Sequence, residues 1–135
     1  MTTTKSPSEV GLKHGFRSGL EAKVAYQLKR AGLAVTYEDP GSVIRYSKPE
    51  RKARYTPDFI LPNGVIVETK GRFLTDDRQK HLLIKAQHPD KDIRFVFYNS
   101  KARISKTSAT TYAAWCEKHG FLYHDKTIPK AWIEE

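Results

Sequence analysis

Three ionisable residues stand where a plain β-hairpin has no use for them. Asp58 opens one apolar run, Asp58-Phe59-Ile60-Leu61, and Glu68 and Lys70 close a second, Val65-Ile66-Val67-Glu68-Thr69-Lys70. Glu68 and Lys70 are two apart, so in a strand they face the same side. Carboxylates brought opposite each other on neighbouring strands repel, and both ionise only if positive charge lies between them. A divalent cation supplies that charge. Asp58 and Glu68 offer hard oxygen ligands, which suits Mg²⁺ with Mn²⁺ as a substitute. Such ions lower the pKa of a bound water and neutralise charge on a phosphate during phosphodiester hydrolysis. Lys70 has two candidate roles, general base or charge stabiliser. A lysine kept protonated by the two acids favours the second. The structural alternative is a strand-end cap at Asp58 and a solvated Glu68–Lys70 ion pair worth little.

The turn between the strands decides whether Asp58 joins the other two. Asn63-Gly64 alone suggests a two-residue loop, which would turn Asp58 away from Glu68. Pro62 opposes that register, because it has no N–H for the ladder at the turn's flank. A three-residue loop, Pro62-Asn63-Gly64, fits better. Pro62 takes the second position of a type I turn and Gly64 the left-handed position of a bulge. Leu61 then pairs with Val65, and Asp58 falls opposite Glu68.

The elements that must hold this hairpin are legible in outline. Phe16 to Gly32 reads as a helix, with Ser18 as N-cap, Glu21 completing a capping box, and Leu20, Val24, Leu28 and Ala31 as an apolar stripe. Glu21 lies at the edge of that stripe. Leu33–Tyr37 reads as a short strand. Residues 38–54 read as a connector rather than a core element, with breakers at Pro40, Gly41 and Pro49 and a β-like patch at Val43–Tyr46. Thr75 is expected to cap a helix to Gln87, with Leu82, Leu83 and Ala86 inward and Arg78, Lys80 and Lys85 outward. Asp92–Tyr98 is apolar on both faces, as in a sheet covered on both sides. Thr110–His119 reads as another helix stopped by Gly120, Phe121–Tyr123 as an edge strand, and Pro129–Ile133 as a closing segment that docks Trp132. The order predicts a mixed α/β layer fold.

Composition bounds the rest. The 135 residues carry 24 Lys and Arg against 15 Asp and Glu, a formal charge of +9, which points to a polyanionic partner and to nucleic acid first. A single cysteine, Cys116, excludes an internal disulfide and fits a reducing cytoplasm. No long apolar run predicts a membrane span. Residues 1–15 are expected as a disordered arm, beginning with the Thr/Ser-rich Met1–Ser8. Neither His81 nor His88 has a partner at ligand spacing. Cys116, Trp115 and Trp132 read as packing residues.

Pro57-Asp58 followed by Glu68-Thr69-Lys70 resembles the PD-(D/E)xK nuclease signature. With Phe16-Arg17-Ser18-Gly19-Leu20-Glu21, Tyr55-Thr56-Pro57-Asp58-Phe59, Leu61-Pro62-Asn63-Gly64, Asp76-Asp77-Arg78, Lys80–Ile84 and Cys116–Gly120, the chain is similar to the endonuclease I family of T-seven-type bacteriophages over about Phe16–Trp132. The resemblance implies a restriction-endonuclease-like fold, a mixed central sheet flanked by helices, forming one nuclease domain over 16–135. It implies an intertwined, segment-swapped homodimer with residues 40–54 as the bridge. It also implies two metal ions per site: Asp58 bridging them, Glu68 and the Thr69 carbonyl on one, Glu21 on the other, and Lys70 as the catalytic lysine. Glu21 would then serve the other subunit's site, a role that competes with its capping box.

The expected activity is Mg²⁺-dependent resolution of four-way and branched double-stranded DNA, leaving 5′-phosphate and 3′-hydroxyl ends, in the cytoplasm of the infected bacterial host. A two-fold dimer matches the symmetry of a junction that needs two cuts. Selection by shape and phosphate position makes Lys13, Arg17, Arg45, Lys48, Arg51, Lys52, Arg54, Lys101, Arg103 and Lys106 the candidate phosphate contacts. The competing readings are a nuclease of the same signature with restriction-like or mismatch specificity, and a basic DNA-binding protein without catalysis.

Overall fold

A computed structural model of the chain describes residues 19–48 and 51–135. The expected arm over 1–15, with Lys13, and the Arg17 and Ser18 positions lie outside the described residues. The elements in chain order are α1 (Gly19–Arg30), β1 (Thr36–Tyr37), a 3₁₀ turn (Pro40–Ser42), β2 (Ile44–Lys48), β3 (Arg51–Tyr55), β4 (Phe59–Ile60), β5 (Ile66–Lys70), α2 (Thr75–Gln87), β6 (Ile93–Phe97), α3 (Tyr112–His119), β7 (Tyr123–Asp125) and α4 (Lys130–Glu134). Five strands form a mixed sheet in the order β1-β4-β5-β6-β7, antiparallel through β5 and parallel beyond it. Among the described residues no helix is long and apolar enough to cross a membrane.

Alternation along β5 and β6 divides the core into two layers. Ile66, Phe95 and Phe97 join Phe73, Ile84, Tyr112, Trp115 and Phe121 on the face covered by α2 and α3. Val67 and Val96 join Leu20, Val24, Leu28 and Trp132 on the face covered by α1 and α4. Phe73 centres the first layer, with rings of Phe95, Phe97, Tyr112 and Trp115 at 4.9–5.8 Å. The α1 stripe is buried as expected at Leu20, Val24 and Leu28, whereas Ala31 is exposed beyond the helix end.

The hairpin has the register that Pro62 demands. Phe59 pairs with Val67 and Ile60 with Ile66. The Leu61 amide donates to the Val65 carbonyl at 2.9 Å, and the Gly64 amide closes the turn on the Leu61 carbonyl at 2.9 Å. Gly64 has φ +90°, a left-handed conformation that a side chain resists.

Residues 38–54 are more than a connector. β2 and β3 form an antiparallel ribbon, Ile44 opposite Tyr55 through Lys48 opposite Arg51, and it buries Ile44, Tyr46 and Tyr55 on the α2 face of the core. Its period-two pattern is masked in the sequence by charged residues at the alternate positions. The Gln87 side chain fastens the ribbon to α2, accepting from the Ser47 amide at 2.6 Å and donating to its carbonyl at 2.7 Å. The inward side of α2 also differs from expectation. Arg78, His81 and Ile84 are buried, Leu82 and Leu83 are half-buried, and Ala86 is exposed. The helix is started by Leu74, whose amide donates to Asp77, not by a Thr75 cap.

The turn makes a quantitative prediction. Gly64→Ala should lower unfolding free energy by about 1–2 kcal/mol, the cost of a left-handed non-glycine residue. Gly71→Ala, with open space at its Cβ, should change it by less than about 0.5 kcal/mol. Urea denaturation distinguishes the two, and equal losses would contradict the strained turn.

Candidate active site

The fold brings the acidic residues together where β4 and β5 part. β4 ends its ladder at Phe59, and Asp58 sits on a bend just before it. There, side chains replace the missing strand pairing. The Asp58 amide donates to Glu68 Oε2 at 2.8 Å, while the Thr69 amide and hydroxyl donate to Asp58 Oδ2 at 2.9 and 3.0 Å. The Tyr55 hydroxyl adds a second bond to Glu68 Oε2 at 2.7 Å. Asp58 and Glu68 are therefore opposite and joined, as the turn register requires.

The groups do not all gather on one face. Lys70 Nζ lies 3.9 Å from Glu68 Oε1 and 3.4 Å from Asp77 Oδ1, on the α2 side of β5. Asp58 reaches instead toward Thr69 and α1. Ligand oxygens of Glu21, Glu38 and Asp58 all lie within 4.8 Å of one another. Glu21 is buried in the first turn of α1 and reaches Asp58 within the same chain. The site thus straddles the sheet end, with Glu21, Glu38 and Asp58 toward α1 and Glu68 and Lys70 toward α2.

Glu38 is the carboxylate that the sequence reading passed over. In the sequence it is the first residue of the 38–54 segment, but β1 pairs antiparallel with β4, Tyr37 opposite Phe59. One step further puts Glu38 beside Asp58, and its amide donates to the Asp58 carbonyl at 3.2 Å. Its φ is +43°, a conformation uncommon outside glycine and frequent at functional sites. The approach depends on the β1–β4 pairing, which no local pattern in the sequence signals. Tyr55, Asp77, Lys80 and His81 were also not assigned to the site. Lys80 Nζ lies 5.0 Å over the Tyr55 ring, and His81 Nε2 lies 3.9 Å from Glu68 Oε1.

The electrostatics reflect crowding. Burial, then the Asp58 charge, pushes the Glu68 carboxyl up to about 8, against the opposing pull of Lys70, the Asp58 amide and the Tyr55 hydroxyl. Burial, reinforced by Glu68, raises the Tyr55 phenol well above its usual range. Burial lowers the Lys80 ammonium. The three clustered ligand groups are all carboxylates, without thiolate or imidazole. That donor set fits a hard cation such as Mg²⁺ or Mn²⁺, and a cation would relieve the repulsion that burial enforces.

The expected cationic contacts are dispersed. Arg45, Arg51, Lys52 and Arg54 are exposed on the β2–β3 ribbon and Lys48 is half-buried there. Lys101, Arg103 and Lys106 are exposed on the loop between β6 and α3. Lys13 and Arg17 lie outside the described residues.

The family model described as phage endonuclease I matches residues 2–135. The chain is 53% identical to endodeoxyribonuclease 1 of Enterobacteria phage T3 over 120 residues, covering 89% of this chain and 78% of that protein. It is 52% identical to endonuclease I of Escherichia phage T7 over 120 residues, covering 89% of this chain and 79% of that protein.

The raised Glu68 carboxyl gives a pH prediction for the metal-free protein. Between the ordinary value of 4.5 and about 8, the folded state holds a proton that the unfolded state has lost. Stability is therefore highest below the ordinary value and falls as pH rises to about 8. Unfolding in chelator from pH 5 to 9 should show this decline in wild type and a flatter profile in Glu68→Gln. Parallel profiles would contradict it.

Proposed function

The chain belongs to the phage endonuclease I family, and from that premise we propose that it is a metal-dependent DNA endonuclease that resolves four-way and branched junctions. The observation that carries this reading is the cluster of Glu21, Glu38 and Asp58, tied through the Asp58 amide to buried Glu68 beside Lys70. Mg²⁺, with Mn²⁺ as substitute, is the proposed cofactor, with two ions per site. Asp58, Glu68, the Thr69 carbonyl and Glu21 are the proposed ligands, joined by Glu38. Bound there, the ions would lower the pKa of a water and offset charge on the phosphate.

The chain's own groups do the positioning. Tyr55 and the Asp58 amide hold one oxygen of Glu68, and Thr69 holds one oxygen of Asp58. Lys70, between Asp77 and Glu68, orients the attacking water and holds a phosphate oxygen, the charge-stabilising role rather than that of a base. The water gives up one proton to solvent as its oxygen bonds to phosphorus, the bond to the 3′ oxygen breaks, and that oxygen takes up a proton from solvent. The products are 5′-phosphate and 3′-hydroxyl ends.

Residues 16–135 would act as one nuclease domain in a homodimer in the infected bacterial cytoplasm. The exposed cations of the ribbon and of the 101–106 loop, with Lys13 and Arg17, would bind phosphates and so read junction shape. Two cuts on opposed strands call for two sites related by a two-fold axis. Opening the β2–β3 ribbon at its tip would let residues 40–54 bridge two chains, each sending α1 and β1, with Glu21, to the partner's β4 and β5.

Two experiments test this reading. With Mg²⁺, wild type should cut a synthetic four-way junction in preference to matched linear duplex. Glu68→Ala should bind the junction but cut it about a thousandfold more slowly, a loss of several kcal/mol of charge stabilisation. Equal cutting of duplex points to another specificity, unchanged cutting by Glu68→Ala removes the site assignment, and salt-sensitive binding without nicking leaves a DNA-binding protein. Separately, shortening the 40–54 segment should disturb the dimer seen by light scattering. A fully active monomer at low concentration would contradict the exchange.

A further inference from the structure

His81 is completely buried in α2, yet among the described residues neither ring nitrogen has a hydrogen-bond partner. Its ring packs edge-on against Tyr55 at 5.2 Å and Phe95 at 4.9 Å. Packing alone does not call for histidine here. A buried polar atom left unsatisfied is destabilising, and leucine or phenylalanine would fill the space without that cost. The ring nitrogens instead point to a partner that is close but not yet bonded.

That partner is Glu68. Oε2 of Glu68 is held twice, by the Tyr55 hydroxyl and the Asp58 amide. Oε1 is approached by Lys70 Nζ and His81 Nε2, each at 3.9 Å. A turn of the carboxyl group that brings Oε1 about 1 Å closer would reach hydrogen-bond length. Of the two ring nitrogens, Nε2 is the one that faces Oε1 and is placed to donate to it.

We propose that His81 is a positioning residue: its Nε2–H donates to Oε1 of ionised Glu68 and, with Tyr55 and the Asp58 amide on Oε2, fixes one orientation of that carboxylate toward a bound divalent cation. This rests on the reading of Glu68 as a metal ligand. Groups that hydrogen-bond a ligating carboxylate tune its affinity, and their loss typically costs 10–100-fold in metal binding or activity. Lys70 cannot substitute, because its flexible ammonium also serves Asp77.

The test compares His81→Leu, His81→Phe and His81→Gln with wild type and Glu68→Ala. Mn²⁺ binding to the metal-free protein is measured by calorimetry, thermal unfolding is followed in chelator, and cutting is titrated with Mn²⁺. His81→Leu or, if that variant packs poorly, His81→Phe should melt no lower than wild type yet need 10–100-fold more Mn²⁺ in both binding and cutting. His81→Gln, which restores an N–H near the Nε2 position, should recover most of the affinity. Wild-type affinity in the Leu and Phe variants would reduce His81 to packing and overturn the proposal. So would equal impairment in Gln, which would assign the effect to shape. If Glu68→Ala binds Mn²⁺ as wild type does, Glu68 is not a ligand and the underlying reading fails first. If Glu68→Ala loses binding while the Leu and Phe variants keep it, only the His81 proposal fails.

Discussion

Like charge crowded out of water is the constraint around which the molecule is arranged. Asp58 and Glu68 are 2% and 3% exposed and lie opposite each other, and Glu21 at 3% comes from the covering helix. Desolvating one carboxylate is costly, and placing others beside it adds repulsion. Hydrogen-bond donors offset part of this. The Asp58 amide, the Thr69 amide and hydroxyl, and the Tyr55 hydroxyl each donate to a site carboxylate. Two of these donors are backbone groups freed because the β4–β5 ladder stops at Phe59. The local loss of sheet pairing and the gain of carboxylate ligation are the same event. What remains uncompensated is expressed in Glu68, whose carboxyl is pushed up to about 8 by burial and the Asp58 charge.

The sheet acts as a partition, and each face contributes what the other does not. On the α1 side are the acids Glu21 and Glu38 near Asp58. On the α2 side are Lys70, Asp77, Lys80 and His81 around Glu68. The two sets meet where β4 and β5 part, through the Asp58 amide on Glu68. That place is the open end of the β4–β5 hairpin, away from its turn. The hairpin's register, set by three residues of turn four positions after Asp58 and four before Glu68, determines whether the two halves meet.

This explains which parts were legible in the sequence. Pro62 and Gly64 have local consequences: one lacks an N–H, the other tolerates φ > 0. From them the pairing of Asp58 with Glu68 follows without tertiary information. The two-sided apolar run of β6 likewise implied a covered sheet, and the α1 stripe named most of its own core. Glu38 was not legible, because its approach to Asp58 depends on β1 pairing with β4, which only two residue pairs carry. The inward face of α2 was misjudged for a related reason. Leu82 and Leu83 outrank Arg78 and His81 on any hydrophobicity scale. The Arg78 side chain nevertheless satisfies the Phe73 carbonyl and the Thr75 hydroxyl, and His81 faces the site. Hydrogen bonding and the approach to buried Glu68 overrode the apolar pattern of the helix.

The β2–β3 ribbon shows the same competition between charge and cohesion. Arg45 lies directly opposite Arg54, and Lys48 opposite Arg51; like charges facing each other across strands weaken the pair. The ribbon is held instead by its ends and its underside. Ile44, Tyr46 and Tyr55 bury into the α2 layer, Gln87 brackets Ser47, and His88 Nε2 meets the Arg45 carbonyl at 2.6 Å. Like-charge pairs thus sit at both ends of the ribbon, Arg45 opposite Arg54 and Lys48 opposite Arg51. A polyanion lying along the ribbon would screen that repulsion. α1 and β1 are secured differently, through Leu20, Val24 and Leu28 against Phe59 and Val67. Those contacts would be unchanged if the strands they pack on came from another copy. The closed ribbon therefore contributes little of what holds α1 in place, and the position of Glu21 beside Asp58 depends on the apolar layer beneath it rather than on the path of the chain between them.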